Sequence, residues 1–76
     1  MGKNKMKLII GNRIKVLRKK DSLSQEQLAN EVFVTRATIN SIEKGHYNPS
    51  LELAFRISEY FQENINDVFS VEGEYE

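Results

Sequence analysis

The stretch LSQEQLANEVFVTRATINSIEKG, residues 23–45, holds two helix starts and one helix stop so close together that the path of the chain is nearly determined. Ser24 and Gln27 stand at capping-box spacing, where each side chain satisfies the other residue's backbone N–H, and Leu23 is placed to staple against Leu28. A helix is expected over 25–31. Thr35 can cap a further helix over 36–44, and Gly45 marks its end. Only Val32, Phe33 and Val34 lie between the first of these helices and the cap of the second. Two helices joined so tightly must turn a corner.

The rest of the chain reads as helix around that corner. Ile10, Ile14, Leu17 and Asp21 fall at helical spacing with Arg13, Lys15, Lys19 and Lys20 on the polar side, which predicts a first amphipathic helix over 10–20. Asn48 before Pro49 is pushed out of the helical region, so HYNPS is a loop and Ser50 can cap a helix starting at Leu51. Leu51, Ala54, Ile57 and Phe61, with Leu53 beside them, predict this fourth helix to about residue 61. Ile65, Val68 and Phe69 suit a short fifth helix or turn, capped by Asn64 or Asn66. MKLII and VFSVEGE alternate like strands and can pair antiparallel. The expected fold is therefore all-helical, with five helices and the connection length of a helix-turn-helix between helices two and three, whether or not the termini add a small two-stranded ribbon. One domain over 1–76 is expected, with 10–69 as its helix-turn-helix region and 1–6 as a flexible tail.

With 76 residues, folding buries only about 60% of the surface of the unfolded chain, so stability is modest. There is no cysteine and no apolar run of about 18 residues, which excludes disulfides, cysteine-based metal sites and a membrane-spanning helix. No secretory signal opens the chain, and a cytoplasmic location is expected. MGKNKM has a myristoylation-like start, but Met6 stands where Ser or Thr is wanted. Zero formal net charge argues weakly against a nucleic-acid partner, yet the charges are sorted: before residue 21 all are positive, and after Arg56 all are negative. One end can face a polyanion while the other faces solvent or a second subunit.

On the third helix Ile39 and Ile42 point inward, which leaves Arg36, Ala37, Asn40, Ser41 and Lys44 outward. That face lacks the large apolar anchors of a protein interface and suits a DNA major groove, where short side chains allow close approach. Arg36 can fork onto a guanine, Asn40 can bond an adenine, and the Ala37 methyl can touch a thymine methyl. Taken alone, such a face fits a merely solvated helix as well.

LSQEQLANEVFVTRATINSIEKGHYNPSLELAFRIS, with the preceding RIKVLRKKDS and the following INDVF, resembles the helix-turn-helix of phage repressor and Cro proteins, a family that includes xenobiotic-response-type bacterial regulators. Gln25, Leu28, Ala29, Val34, Thr35, Thr38 and Ile39 stand where the pattern wants them, as do Ile42, Glu43, Gly45, Asn48, Pro49 and Ser50. The resemblance implies base contacts from Arg36, Ala37, Asn40 and Ser41, and phosphate contacts from Gln25, Thr35 and Thr38. Lys44, His46, Tyr47 and Asn48 match a second backbone clamp. It also implies an ion pair between Arg18 and Glu43 that ties helix one to helix three. Phe33 departs from the pattern, since many relatives have Gly there; it must take another turn geometry or offset by packing a strain of roughly 1–2 kcal/mol.

The function expected is sequence-specific binding of double-stranded DNA by a bacterial or phage transcriptional repressor, a homodimer on a palindromic operator with half-sites about 34 Å apart. The alternative is a protein-interaction module of the antitoxin or adapter kind on the same fold. Tyr60, Ile65, Val68, Phe69 and Val71 are the candidate dimer residues, unless they merely close the monomer's core. No catalytic set is visible, His46 has no second His or Cys for a metal, and no cofactor, membrane or small-molecule ligand is implied.

Overall fold

The computed structural model describes residues 7–75, so the expected tail 1–6 and its myristoylation-like start lie outside the described residues. In chain order the elements are strand β1 (Lys7–Asn12), helices α1 (Ile14–Lys20), α2 (Gln25–Glu31), α3 (Arg36–Glu43), α4 (Leu51–Phe61) and α5 (Ile65–Val68), and strand β2 (Phe69–Tyr75). The strands pair antiparallel from Lys7 opposite Tyr75 to Asn12 opposite Phe69. Between Ile9 and Ile10 the register slips, leaving Glu72 as the extra residue of a bulge. Its side chain lies over Gly11, where any Cβ would have to displace it.

The helix starts follow their side chains. Ser24 accepts from the Gln27 N–H at 3.0 Å while the Gln27 side chain accepts from the Ser24 N–H at 2.8 Å, completing the capping box. Thr35 and Ser50 accept from the N–H groups of Thr38 and Leu53 at 3.2 and 3.1 Å. Helix one, in contrast, begins at Ile14 rather than at residue 10. Asn12 Oδ1 accepts from the Ile14 N–H at 3.1 Å, which starts the helix there, and Ile10 belongs to the ladder with β2.

Four helices end alike, on a residue with left-handed backbone followed by a backbone bond six residues wide: Ser22 (φ 57), Phe33 (φ 62), Gly45 (φ 78) and Gln62 (φ 56). The closing bonds run from the N–H groups of Leu23, Val34, His46 and Glu63 to the carbonyls of Arg18, Ala29, Ser41 and Ser58, at 2.8–3.0 Å. Phe33 takes the left-handed turn and its ring is 80% exposed, so neither of the expected escapes from strain is used.

The core sits where the helices converge. Ile14, Leu28, Ile39 and Ile57 are fully buried, one from each of the first four helices, and Val32, Ile42 and Val68 are 1% exposed. Each such side chain contributes about 1.5–3 kcal/mol by leaving water. Along α4 the buried residues are Leu53, Ala54, Ile57 and Ser58. Leu51, expected inward, is 70% exposed, because the helical period centres the buried stripe on Ile57 and leaves the first residue at its edge. Arg56 on α4 donates from Nε to the Val32 carbonyl at 3.0 Å, holding α4 to the end of α2.

Candidate nucleic-acid interface

The outward face of α3 is what remains after its apolar residues are spent. Ile39 and Ile42 are buried, which turns Arg36, Ala37 and Lys44 fully outward and leaves Asn40 and Ser41 half-buried at the edges. Of the residues expected at phosphates, Thr35, Lys44, His46, Tyr47 and Asn48 are exposed, and Gln25 and Thr38 are half-buried. The Thr35 and Thr38 hydroxyls share a hydrogen bond of 3.0 Å at the N-terminus of α3. Tyr47 borders a shallow depression with Ala37, Thr38 and Ser41, so the loop after α3 and the start of α3 form one continuous surface.

A buried ion pair fixes that surface against α1. Arg18 Nε lies 2.7 Å from Glu43 Oε2, with side chains only 9% and 5% exposed, and Arg18 Nη2 donates to Glu43 Oε1 at 3.1 Å. The same guanidinium donates from Nη1 to the Leu23 carbonyl at 2.8 Å, tying the end of α1 to the entry of α2. This forked geometry suits a buried carboxylate better than a lysine would. Burial alone would raise the Glu43 carboxyl pKa. Hydrogen bonds from Arg18 and Gln25, with the charges of Arg18 and Lys15, outweigh it and hold the group below the usual carboxylate range. Hydrogen bonding to Glu43 holds the Arg18 guanidinium above its ordinary value, against the effect of burial. Glu43 is thus a neutralised structural anion at the back of α3.

Two connections have no clear signature in the sequence. Gln25 Nε2 donates both to Glu43 Oε1 at 3.0 Å and to Asn40 Oδ1 at 3.1 Å, so a residue expected at a phosphate is engaged with one expected at a base. Asn12 donates from Nδ2 to the Ile42 carbonyl at 3.0 Å while it starts α1. An Asn just before a helical run is a signal for the second role. Nothing in the sequence marks the first.

The candidate dimer residues separate. Val68 is 1% exposed and packed in the core, so it closes the monomer and is unable to meet a partner. Tyr60 and Val71 are 37% and 61% exposed, and Ile65 and Phe69 are half-buried along a groove with Ile10, Pro49 and Leu51. Leu8 and Ile9 on β1 are 50% and 43% exposed, extending the apolar surface along the ribbon. Among the described residues no helix is long and apolar enough to cross a membrane.

A family model described as helix-turn-helix matches residues 14–68. The chain is 46% identical, over 63 residues, to an uncharacterized HTH-type transcriptional regulator of Methanocaldococcus jannaschii; the match covers 83% of this chain and 96% of the relative. It is 43% identical over 44 residues to the immunity repressor protein of Bacillus phage phi105, covering 58% of this chain and 31% of that one. Among solved structures it is similar to the restriction-modification controller protein C.AhdI of Aeromonas hydrophila, with a TM-score of 0.68 and 27% identity over 72% of this chain and 83% of that chain.

Proposed function

The chain belongs to the helix-turn-helix family of transcriptional regulators of the repressor and Cro type, and from that premise we propose that it is a repressor, acting as a homodimer that occupies a palindromic operator with α3 in the major groove. The observation that carries this reading is the outer face of α3, small, polar and free of acidic groups, with its one carboxylate turned inward and paired. In this reading α2 and α3 are the two helices of the motif. Arg36, Ala37, Asn40 and Ser41 meet base edges, while Thr35, Thr38, Lys44, His46, Tyr47 and Asn48 grip phosphates, as does Gln25 through its backbone N–H at the start of α2, its side-chain donors being engaged with Glu43 and Asn40.

Zero net charge is compatible with this, because the described acidic residues that follow Arg56 lie on α4, α5, β2 and the loop between α4 and α5 rather than on α3. A monomer of this size spans one half-site, and the exposed apolar side chains of the ribbon and of Tyr60 offer a surface for the second copy. Repression follows from occupancy alone, which requires no further domain. A cytoplasmic location accords with a DNA partner.

Selection of bound sequences from random duplex DNA tests the reading. The expected result is an inverted repeat with half-sites about one helical turn apart, bound with an affinity that falls steeply with salt. Absence of any enriched sequence, or a salt-independent association with a protein, would overturn it in favour of an interaction module.

A further inference from the structure

A side-chain amide has a donating end and an accepting end, and its neighbours decide which faces outward. Behind α3 that decision passes along a chain of four residues. Arg18 only donates, and it holds the Glu43 carboxylate with two hydrogen bonds of 2.7 and 3.1 Å. The ionised carboxylate only accepts. Gln25 must therefore present Nε2 to Glu43 Oε1, at 3.0 Å, since the reverse orientation would set a carbonyl oxygen against an anion. The second hydrogen of the same Nε2 goes to Asn40 Oδ1, at 3.1 Å. Asn40 is left with its oxygen drawn back toward α2. Its Nδ2 has no partner among the described residues, and no described side-chain nitrogen or oxygen is buried without one, so Nδ2 meets solvent.

Resting on the DNA-binding reading, we infer that Gln25 is a positioning residue that fixes Asn40 as a donor, so that Asn40 selects a keto base, guanine or thymine, over an amino base. Guanine O6 and N7 and thymine O4 accept in the major groove, whereas cytosine offers only the N4 amino donor and adenine accepts at N7 alone, beside an N6 amino group that repels a second donor. A bidentate grip on adenine needs Oδ1 and Nδ2 side by side on the outer edge of the amide. The Gln25 bond holds Oδ1 away from that edge, which replaces the adenine contact expected from the residue type alone. Gln25 thereby acts on specificity without touching the base it helps to choose.

The test repeats the selection from random duplex DNA with the wild-type chain, Asn40→Ala and Gln25→Ala. One half-site position should lose its preference in Asn40→Ala, and in the wild type that position should be guanine or thymine. In Gln25→Ala the same position should admit adenine, with keto-over-amino discrimination falling about tenfold, the scale of one lost base contact. A merely structural Gln25 would lower affinity for all sequences alike and leave that discrimination unchanged, which overturns the inference. Adenine at the Asn40-dependent position in the wild type overturns it as well, while leaving the DNA reading intact. No enriched duplex for the wild type overturns the DNA reading, and the keto preference with it. Without DNA, side-chain amide hydrogen exchange measured by NMR should find the Gln25 Nε2 protons slowed and those of Asn40 at solvent rates; the opposite order overturns the relay itself.

Discussion

The α2–α3 corner and the terminal ribbon both present side chains to solvent, and they are built in opposite ways. At the corner the polar groups are bonded to one another before any partner arrives: Arg18 to Glu43, Glu43 to Gln25, Gln25 to Asn40, and the Thr35 cap to Thr38. In the ribbon the strands are held by their ladder, while Leu8, Ile9 and Val71 stay about half open to water. A surface whose donors and acceptors are fixed in advance suits a partner that is read by hydrogen bonds, at little cost in ordering. A two-stranded ribbon with open apolar side chains is marginal in water by itself and gains by being covered. In the proposed reading the first region serves recognition and the second association.

The strongest way to break this contrast is to remove the anion at the back of the corner. Glu43→Ala leaves a buried guanidinium with the Leu23 carbonyl as its remaining partner, and should cost about 3 kcal/mol, measured by chemical or thermal unfolding. Unchanged stability with lost DNA binding would mean that Glu43 serves the ligand rather than the fold. The sign of the pH dependence comes from the same pair. The folded-state pKa of Glu43 is depressed, so its contribution is fully present above the unfolded value of about 4.3 and is lost as pH falls through the lower folded value. Part of the loss of stability in acid should therefore disappear in Glu43→Gln.

A smaller effect on folding, but a larger one on assembly, is expected in the ribbon. Val71 is 61% exposed on β2, so Val71→Asp should change the stability of the monomer by no more than about 0.5 kcal/mol. The added charge would be buried in a dimer interface, and sedimentation at micromolar concentration should shift toward the monomer. Affinity for a duplex with two half-sites should fall, while that for one half-site holds. Unaltered association would detach the ribbon from dimer formation and dissolve the contrast between the two regions.

The two regions also differed in how far the sequence foretold them. Ser24, Thr35 and Ser50 were legible as helix starts because an N-cap is side-chain chemistry, and α2 appears over the residues expected. The outer face of α3 was legible from the period of Ile39 and Ile42, and the strand alternation near both termini foretold the ribbon. Ile10 fitted both a helical period and a strand, and the Asn12 side chain, accepting from the Ile14 N–H in a turn just before the helix, decides between them. Helix stops were mostly hidden. Gly45 advertises one, but Ser22, Phe33 and Gln62 adopt the same left-handed backbone without a residue type that announces it. The Gln25–Asn40 contact was hidden for another reason: it joins two helices whose approach depends on the whole core.

Phe33 allows the smallest of these effects to be read cleanly, because α2 and α3 end in the same geometry on different residues. The Val34 N–H reaches the Ala29 carbonyl at 3.0 Å past Phe33, and the His46 N–H reaches the Ser41 carbonyl at 2.9 Å past Gly45. Glycine carries no Cβ to clash in this conformation, whereas a side chain costs about 1 kcal/mol. The Phe33 ring is 80% exposed, so burial returns little of that cost. Phe33→Gly should therefore stabilise the fold, offset in part by the greater freedom of glycine in the unfolded chain, by a net amount of up to about 1 kcal/mol; each such unit raises Tm by roughly 4–8 °C in a domain of this size. Phe33→Ala keeps a Cβ and should change Tm little. If alanine gave the same gain as glycine, the benefit would come from removing an exposed ring, and the turn into α3 would be less strained than its backbone angle implies.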